Sequence, residues 1–325
     1  GVEESHPRIP GTYQRPGGAS ILTAPILDRS AGKLPARAVR GNRQPFGQVV
    51  LRTSIALLRS THPGPSVAVA ALAAILSWGF GVTLMTALAV VAAVLLNQFS
   101  VGLSNDVIDL KRDRESGRMD KPLVRGDLSP VTVWISAIVF GLVALALSWL
   151  VHPGVFVAQV IFLLAGWAYN LGLKATVFSA LAYAVGFGAL PAIVSFSATP
   201  AVAPPWWVVV IGSGLGVAAH FGNVVPDREE DQLQGVRGLP QMLSAKTVAF
   251  SLSALVIAMA TVLVIGAGAE SFAASLPAAA IAGLLAVAGG VSAIRRPSSR
   301  TAFRASIGAA VVLACGLAVA LVLGG

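Results

Sequence analysis

Nine apolar stretches run through the chain, each of about 20 residues, which is enough to cross the roughly 30 Å of hydrocarbon in a bilayer. Only 11% of the 325 residues are charged, against about 25% in soluble domains, so most of the surface cannot face water. The pattern predicts an all-α integral membrane protein of nine transmembrane helices. The predicted spans are 62–80, 82–103, 130–150, 154–172, 176–197, 205–225, 245–267, 271–292 and 303–323.

The basic residues divide the links between these spans into two sets. Besides the N-terminal segment, four regions carry Lys or Arg, near 111–125, 174, 228–246 and 295–304. The alternate links carry none, near 80, 152, 200 and 270. Basic residues concentrate on the cytoplasmic side of membrane proteins. The pattern therefore predicts a multi-pass protein of the cell membrane with a cytoplasmic N-terminus and with Gly325 on the opposite side.

Two segments precede the first span. Residues 1–45 are polar, rich in Pro, Gly and Arg, and lack the apolar core of a signal peptide. They predict a disordered, basic cytoplasmic tail. Residues 46–60 predict an amphipathic helix at the membrane surface or a lead-in to the first span. The net charge of +9 indicates contact with anionic lipid headgroups rather than with nucleic acid, because the basic residues lie between apolar spans.

Three carboxylates follow the second span at positions i, i+3 and i+7: Asp106, Asp109 and Asp113. On a helix these positions share one face. Neighbouring carboxylates repel one another unless a cation lies among them, and Mg²⁺ binds one or two carboxylates together with substrate phosphates. Basic residues suited to phosphate oxygens follow, at Arg118, Lys121 and Arg125. The pattern predicts a Mg²⁺–diphosphate site; the alternative is a solvated helix end.

A second acidic segment follows the sixth span, on the same predicted side of the membrane. Asp227 and Asp231 lie at i and i+4, with Asn223 before them and Arg237 after them. Pro226 precedes the acids and is predicted to break or kink the helix there. Two acidic faces with the same surroundings favour a shared metal site over two unrelated solvated loops.

These residues resemble the motifs of the UbiA superfamily of intramembrane prenyltransferases. The first signature is similar to Asn105-Asp106-x-x-Asp109-x-x-x-Asp113. The second is similar to Asp227-x-x-x-Asp231, followed by Gly235 and Gly238-Leu239-Pro240. The family's loop between helices four and five resembles Tyr169-Asn170 with Lys174. The second motif departs from the family in having Asn223 and Pro226 where many members have a further Asp.

The resemblance implies a UbiA-like membrane domain over residues 46–325, with nine helices around a central cavity and cytoplasmic Asp-rich loops after helices two and six. It implies a Mg²⁺-dependent enzyme acting on a prenyl diphosphate. The implied metal ligands are Asp106, Asp109, Asp113, Asp227 and Asp231, which with Lys174 and Tyr169 form the implied catalytic set. The expected substrate-binding residues are Asn105, Lys111, Arg118, Lys121, Arg125, Asn170, Asn223 and Arg237.

Three functions remain open on these residues. The first is transfer of the prenyl group to a small lipophilic acceptor, such as an aromatic compound or a quinone precursor. The second is a membrane terpene cyclase, in which the prenyl cation closes on itself. The third is a cation-coupled transporter, which is disfavoured because no span carries an acid at its midplane, where transport sites lie.

Polar and aromatic residues within the spans are candidates for the inside of the bundle. Intramembrane polar groups face other helices, as expected here for Asn97, Gln98 and Gln159. A dry pocket lined by π-systems would protect an allyl cation, and its candidates are Tyr169, Tyr183, Phe187, Phe99 and Phe221. His220 is either a base or a polar group bonded to a neighbouring helix. His62 and His152 are predicted to carry no chemistry.

Overall fold

The computed structural model of the protein describes residues 46–224, 237–295 and 300–324. The predictions about residues 1–45, Pro226, Asp227, Asp231 and Gly235 lie outside these ranges. Within them the regular structure is entirely helical. The helices are α1 (Phe46–Ser60), α2 (Pro63–Gly79), α3 (Leu84–Ile108), α4 (Leu110–Glu115), α5 (Pro122–Arg125), α6 (Pro130–Val151), α7 (Pro153–Leu171), a 3₁₀ turn (Leu173–Ala175), α8 (Ser179–Ser195), α9 (Trp206–Val224), α10 (Leu239–Met242), α11 (Ala245–Gly266), α12 (Gly268–Arg295) and α13 (Arg300–Gly324).

Seven of the described helices are long and apolar enough to cross a membrane, namely α3, α6, α7, α9, α11, α12 and α13. Helices α2 and α8 are apolar but shorter, with 17 residues each. Large apolar side chains cover the outside: Leu142 is 60% exposed and Leu150 is 79% exposed. Such a surface is unfavourable in water and favourable in contact with lipid. The described part is therefore that of an integral, multi-pass membrane protein.

Each predicted span overlaps one of these apolar helices. The largest difference is at the second span, predicted at 82–103, because α3 continues to Ile108. Hydropathy falls after Leu103, but Ser104 and Asp106 are buried against neighbouring elements, so the helix continues without exposing them to lipid. The number of membrane crossings stays a prediction.

Proline and capping residues explain where two of the long helices begin. Pro130 occupies the first turn of α6, and the Ser129 hydroxyl accepts a hydrogen bond from the Thr132 amide at 3.0 Å. His152 precedes α7, and its Nδ1 accepts from the Gly154 amide at 3.0 Å. Both satisfy amides that a helix start leaves without a partner. His152 thus has a capping role in the fold.

The apolar helices form a closed ring of contacts. Each packs against the next one along the chain, and α13 packs against α2. Helices α8 and α9 approach closely at two glycines: a Cβ on Gly212 would lie 2.6 Å from the Phe187 carbonyl oxygen, and one on Gly216 would lie 2.5 Å from that of Tyr183. Small residues permit such close packing in membranes. This contact brings the aromatic side chains of α8 close to His220.

Helix α1 is separate from the first apolar helix, since Thr61 and His62 interrupt the chain between α1 and α2. Its Leu51 and Leu58 are 61% and 52% exposed, whereas Ala56 is buried and packs with Leu103 and Leu123. Residues 46–60 are helical, and the choice between an amphipathic helix at the membrane surface and a lead-in to the first span stays a prediction.

Candidate active site

Three buried carboxylates lie where α3 is followed by α4. Asp106 is in the last turn of α3, Asp109 is at the junction and Asp113 is in α4, with exposed fractions of 2%, 6% and 3%. The Asp109 amide donates to the Asn105 carbonyl at 2.9 Å, and the Asp113 amide donates to the Asp109 carbonyl at 2.8 Å. The predicted helical spacing is therefore kept through the junction, although the helix itself is interrupted at Asp109.

Lys121 bridges two of these carboxylates from its position just before α5. Its Nζ lies 3.0 Å from Asp106 Oδ1 and 2.7 Å from Asp113 Oδ2. Burial opposes the charged form of Lys121, but the two carboxylates outweigh it, so the pKa of Lys121 lies above its ordinary value. Lys121 therefore stays protonated between Asp106 and Asp113.

Lys174 and Arg112 bind the remaining carboxylate from two sides. Lys174 Nζ donates to Asp109 Oδ1 at 2.5 Å and to Asn105 Oδ1 at 3.4 Å. Arg112 Nη2 donates to Asp109 Oδ2 at 2.7 Å. Burial lowers the pKa of Lys174 more than the attraction of Asp109 raises it, so this pKa lies below its ordinary value. Both oxygens of Asp109 are thus engaged by cationic side chains.

His62 also contacts one of the three carboxylates, which is a contact that the sequence analysis did not predict. Its Nε2 lies 2.9 Å from Asp106 Oδ1. The two residues are 44 positions apart, so no spacing within a motif could have indicated the contact. His62 has a left-handed backbone, with φ of 52°, which no other non-glycine residue of the described ranges shares.

Asn170 joins α7 to α3 beside this group. Its Nδ2 donates to the Val101 carbonyl and to the Ser104 hydroxyl, each at 2.8 Å, and the residue is 3% exposed. The preceding residue, Tyr169, meets Tyr183 edge-on, with ring centroids 5.2 Å apart. Asn170 therefore fixes the end of α7, and Tyr169 belongs to an aromatic group further inside.

A cavity of about 90 Å³ opens between α3, α7 and α8. Three of the predicted pocket aromatics line it, Tyr169, Tyr183 and Phe187, together with Gln98, Phe162 and Gly186. The other two lie elsewhere: Phe99 packs on Phe140, with centroids 5.8 Å apart, and Phe221 packs with Val248 and Leu252. The buried amides of Asn97 and Gln159 bond to backbone carbonyls of the facing helix, as predicted for the bundle interior.

His220 is buried at the end of the same aromatic group. Its Nε2 lies 3.0 Å from the Ser179 hydroxyl oxygen, which also accepts from the Leu239 amide at 3.0 Å. The His220 ring stacks on Tyr183, with centroids 4.6 Å apart. Of the two readings of His220, the structure supports a polar group bonded to a neighbouring helix. The Ser179 hydroxyl connects α8, α9 and the start of α10.

A family model described as the UbiA prenyltransferase family matches residues 66–313. This range includes the three carboxylates, Lys121, Lys174 and the residues that line the cavity. The chain belongs to the UbiA prenyltransferase family. The bacteriochlorophyll synthase 33 kDa chain of Cereibacter sphaeroides is 29% identical over 162 residues, which are 45% of this chain and 50% of that protein. The match thus spans about half the length of this curated relative.

Solved structures show the UbiA fold over most of the chain. A UbiA homologue from Aeropyrum pernix K1 superposes with a TM-score of 0.65 at 17% identity, covering 78% of this chain and 97% of that one. A UbiA homologue from Archaeoglobus fulgidus, bound to DMAPP and Mg²⁺, gives a TM-score of 0.63 at 19% identity, covering 81% and 98%. At sequence identities this low, the superpositions show a common fold and nothing more.

Some predicted basic residues of this UbiA-family chain lie on the surface of the loop after α3. The Lys111 side chain is 90% exposed and lies 4.0 Å from Glu115, so the structure does not bring it to the carboxylates. Arg118 pairs with Asp120 at 3.1 Å, and Arg125 pairs with Asp127 at 2.7 Å. Arg237, before α10, is exposed.

The second UbiA motif lies outside the described residues, but both ends of its segment are described. Helix α9 ends at Val224, and the Asn223 side chain hydrogen-bonds to the Tyr183 side chain beside the cavity. At the other end, a Cβ on Gly238 would lie 2.6 Å from the Lys174 carbonyl oxygen. The described residues Asn223 and Gly238, on either side of this segment, therefore lie next to the cavity and next to Lys174, respectively.

The first motif supplies oxygen ligands but not a complete metal site. The described ranges contain no group of three or more His, Cys, Asp or Glu side chains placed to hold a metal ion. The contacts above use Oδ1 of Asp106 and Oδ2 of Asp113, and each carboxylate has a second oxygen, the type of ligand that Mg²⁺ prefers. Mg²⁺ takes one or two carboxylates and completes its shell with water and phosphate oxygens. The residues present fit that requirement.

Proposed function

We propose that this chain is a Mg²⁺-dependent intramembrane prenyltransferase that moves a prenyl group from a prenyl diphosphate to a small lipophilic acceptor, such as an aromatic compound or a quinone precursor. The observation that carries the proposal is the row of buried carboxylates, two of which Lys121 bridges and the third of which Lys174 binds. The A. fulgidus homologue bound to DMAPP and Mg²⁺ and another structure of it bound to GPP and Mg²⁺ support both the donor and the metal.

The balance of charge around the carboxylates gives Lys121 and Lys174 a role in binding the prenyl diphosphate. In the absence of a divalent ion they compensate the carboxylates. Asp106, Asp109 and Asp113, together with Asp227 and Asp231, would hold Mg²⁺, whose positive charge would then supply that compensation. Lys121 and Lys174 are then free to bind diphosphate oxygens, for which ammonium groups are well suited. Asn105 and Asn223 orient these ligands from the two helix ends, and we assign no role to Lys111.

The reaction divides between the polar group and the cavity. The allylic C–O bond breaks, and its electron pair leaves with the diphosphate, whose charge the lysines stabilise. The allyl group becomes cationic and is stabilised by the faces of Tyr169, Tyr183 and Phe187. The acceptor then forms the new bond to the prenyl carbon and releases a proton. Val101 lines the cavity, and it belongs to α3, the helix that also carries Asp106.

We further propose nine membrane crossings, with a cytoplasmic N-terminus and a C-terminus on the opposite side. Helices α2 and α8 have 17 residues each, which is at the lower end of the roughly 17–25 that cross a bilayer. Both have neighbours in the ring that are longer and apolar. In this arrangement residues 1–45 form a basic cytoplasmic tail in front of the membrane domain.

The test uses purified protein in lipid nanodiscs with Mg²⁺ and prenyl diphosphates of several lengths. Pyrophosphate release is measured with and without a cell lipid extract as the source of acceptor. We expect release that depends on the extract, with the labelled prenyl group in a new lipophilic product. Release without the extract, together with a cyclic hydrocarbon, would support the cyclase instead. No release from any donor would contradict both prenyl transfer and cyclisation.

A matched pair of variants ties the activity to the carboxylate row. Asp106→Asn keeps the side-chain shape but removes a buried charge, and we expect turnover to fall by about 100-fold or more. Asp127→Asn makes the same chemical change at a residue that is 45% exposed and pairs with Arg125. It should retain turnover close to that of the unmodified protein.

A further inference from the structure

The joint between α1 and α2 is held in one conformation by several hydrogen bonds. The Thr61 hydroxyl donates to the Leu58 carbonyl at 2.7 Å, and the Ser66 hydroxyl donates to the Thr61 carbonyl at 2.9 Å. Thr61 and Ser66 are 1% and 3% exposed. His62, between them, keeps a left-handed backbone, which a residue with a Cβ adopts only when its surroundings enforce it.

Helix α3 carries a glycine where this joint touches it. A Cβ on Gly102 would lie 2.6 Å from the Thr61 carbonyl oxygen and 3.3 Å from His62 Cδ2. The glycine therefore permits the backbone of the joint to contact α3 directly, one helical turn before Asp106. The His62 ring is aimed at Asp106 by the backbone on both sides of it.

Two side chains share the same oxygen of Asp106. Both His62 Nε2, at 2.9 Å, and Lys121 Nζ, at 3.0 Å, contact Oδ1. They differ in mobility, because lysine ends a flexible four-carbon stem whereas the histidine ring has two side-chain torsions and a fixed backbone. A diphosphate can draw the Lys121 ammonium away from Asp106, whereas the His62 ring has fewer torsions through which to leave the carboxylate.

We propose that His62 is a positioning residue for the metal site: it holds Asp106 Oδ1 and so presents Oδ2 to the cation. This inference rests on the proposed Mg²⁺ site. Hydrogen bonds that orient a metal ligand from behind typically change metal affinity by about 10- to 100-fold when they are removed. His62 itself contacts neither the metal nor the substrate in this assignment.

The test measures metal binding without turnover. Mn²⁺ is titrated into the purified full chain in detergent, and free Mn²⁺ is followed by its paramagnetic resonance signal. His62→Asn suits the left-handed backbone, which Asn tolerates, but its amide is too short to reach Asp106. We expect it to weaken Mn²⁺ binding by about 10- to 100-fold. His62→Gln restores an amide nitrogen at the distance of Nε2 and should recover most of the affinity.

Three controls separate this role from a structural one. His152→Asn changes a histidine that caps α7 and should leave Mn²⁺ binding unchanged. In an Asp106→Asn background, His62→Asn should have no further effect, because its partner is already altered. Gly102→Ala displaces the joint while His62 is intact and should weaken Mn²⁺ binding, whereas Gly64→Ala, with nothing within 4 Å of the added Cβ, should not.

The outcomes distinguish the two proposals. If the unmodified protein binds no Mn²⁺, the proposed metal site fails, and this inference fails with it. If it binds Mn²⁺ and a folded His62→Asn variant binds it equally well, only the role of His62 is overturned. An equal weakening by His62→Asn in the Asp106→Asn background would also overturn that role. Thermal unfolding identifies any variant that does not fold, and the Gly102→Ala and Gly64→Ala pair then decides the question.

Discussion

Lys174 donates a hydrogen bond to Asp109 at 2.5 Å, although 65 positions separate the two residues along the chain. The lysine lies in the short turn between α7 and α8, and the carboxylate lies at the end of α3. Both side chains are largely buried, with exposed fractions of 11% and 7%. Removing one member of such a pair leaves a charge that neither water nor a partner fully compensates.

Lys174→Met should therefore reduce stability as well as turnover. Arg112 still binds Asp109 in this variant, so we expect a loss of about 1.5–3 kcal/mol, the range for a single hydrogen bond to a charged group. Thermal unfolding in detergent measures it. Turnover should fall by about 100-fold or more, because a donor to the leaving group is lost.

The double variant Lys174→Met with Asp109→Asn separates the two effects. It removes both charges, so part of the lost stability should return through coupling between neighbouring sites. Turnover should stay low, since neither the lysine nor the carboxylate is restored. A double variant with recovered turnover would show that the pair serves only the fold.

In the proposed metal site, Lys121 competes with the metal ion for Asp106 and Asp113. In Lys121→Met the two carboxylates lack their shared cation, so Mn²⁺ should bind about tenfold more tightly without substrate, a change of about 1.4 kcal/mol. Because a ligand stabilises the state that binds it, added Mg²⁺ should also raise the unfolding temperature more than in the unmodified protein. The KM for prenyl diphosphate should rise, since a phosphate-binding cation is lost.

Lys111→Met is the matched control for this prediction. It removes the same charge from the same loop, but at a side chain that is 90% exposed. Mn²⁺ affinity and KM should both remain near their original values. Equal effects at Lys111 and Lys121 would indicate general electrostatics of the loop rather than direct competition at the carboxylates.

Asn170 is expected to serve the fold more than the substrate. Both of its described hydrogen bonds run from Nδ2 to acceptors on α3, so Asn170→Ala loses two hydrogen bonds at a cost of about 0.5–1.5 kcal/mol each. The unfolding temperature in detergent should fall, while KM for prenyl diphosphate changes by less than about threefold, within about 0.7 kcal/mol. A large rise in KM with unchanged stability would contradict this and restore the expected substrate contact.

The sequence predicts the apolar helices and the carboxylate row well, because both depend on local patterns. Hydropathy predicts where the apolar helices lie, and the spacing of Asp106, Asp109 and Asp113 holds through a break in the helix. The bonding partners depend on long-range packing. Lys111 and Lys121 both lie between α3 and α6 and look equivalent in the sequence, yet the Lys121 side chain is 11% exposed and the Lys111 side chain is 90% exposed. The contact of His62 needs a left-handed backbone and a glycine on another helix, which no motif records.

Gly186 offers a way to change the length of prenyl chain that the enzyme accepts. It lines the cavity, and an added Cβ would lie 3.5 Å from Phe162 and 3.6 Å from Ala165, which are ordinary contacts. Gly186→Ala should therefore fold and keep its range of donors. Gly186→Leu extends past those contacts into a space of about 90 Å³.

The leucine should shorten the preferred donor, because the cavity and the prenyl tail would compete for the same volume. We expect pyrophosphate release from a five-carbon donor to persist while release from the longest accepted donor falls by about tenfold or more, or about 1.4 kcal/mol in transition-state stabilisation. The measurement compares kcat/KM across a series of donor lengths for Gly186→Ala and Gly186→Leu. A uniform loss at every length would mean that leucine distorts the packing of α7 on α8. An unchanged series would mean that the prenyl tail lies outside this cavity.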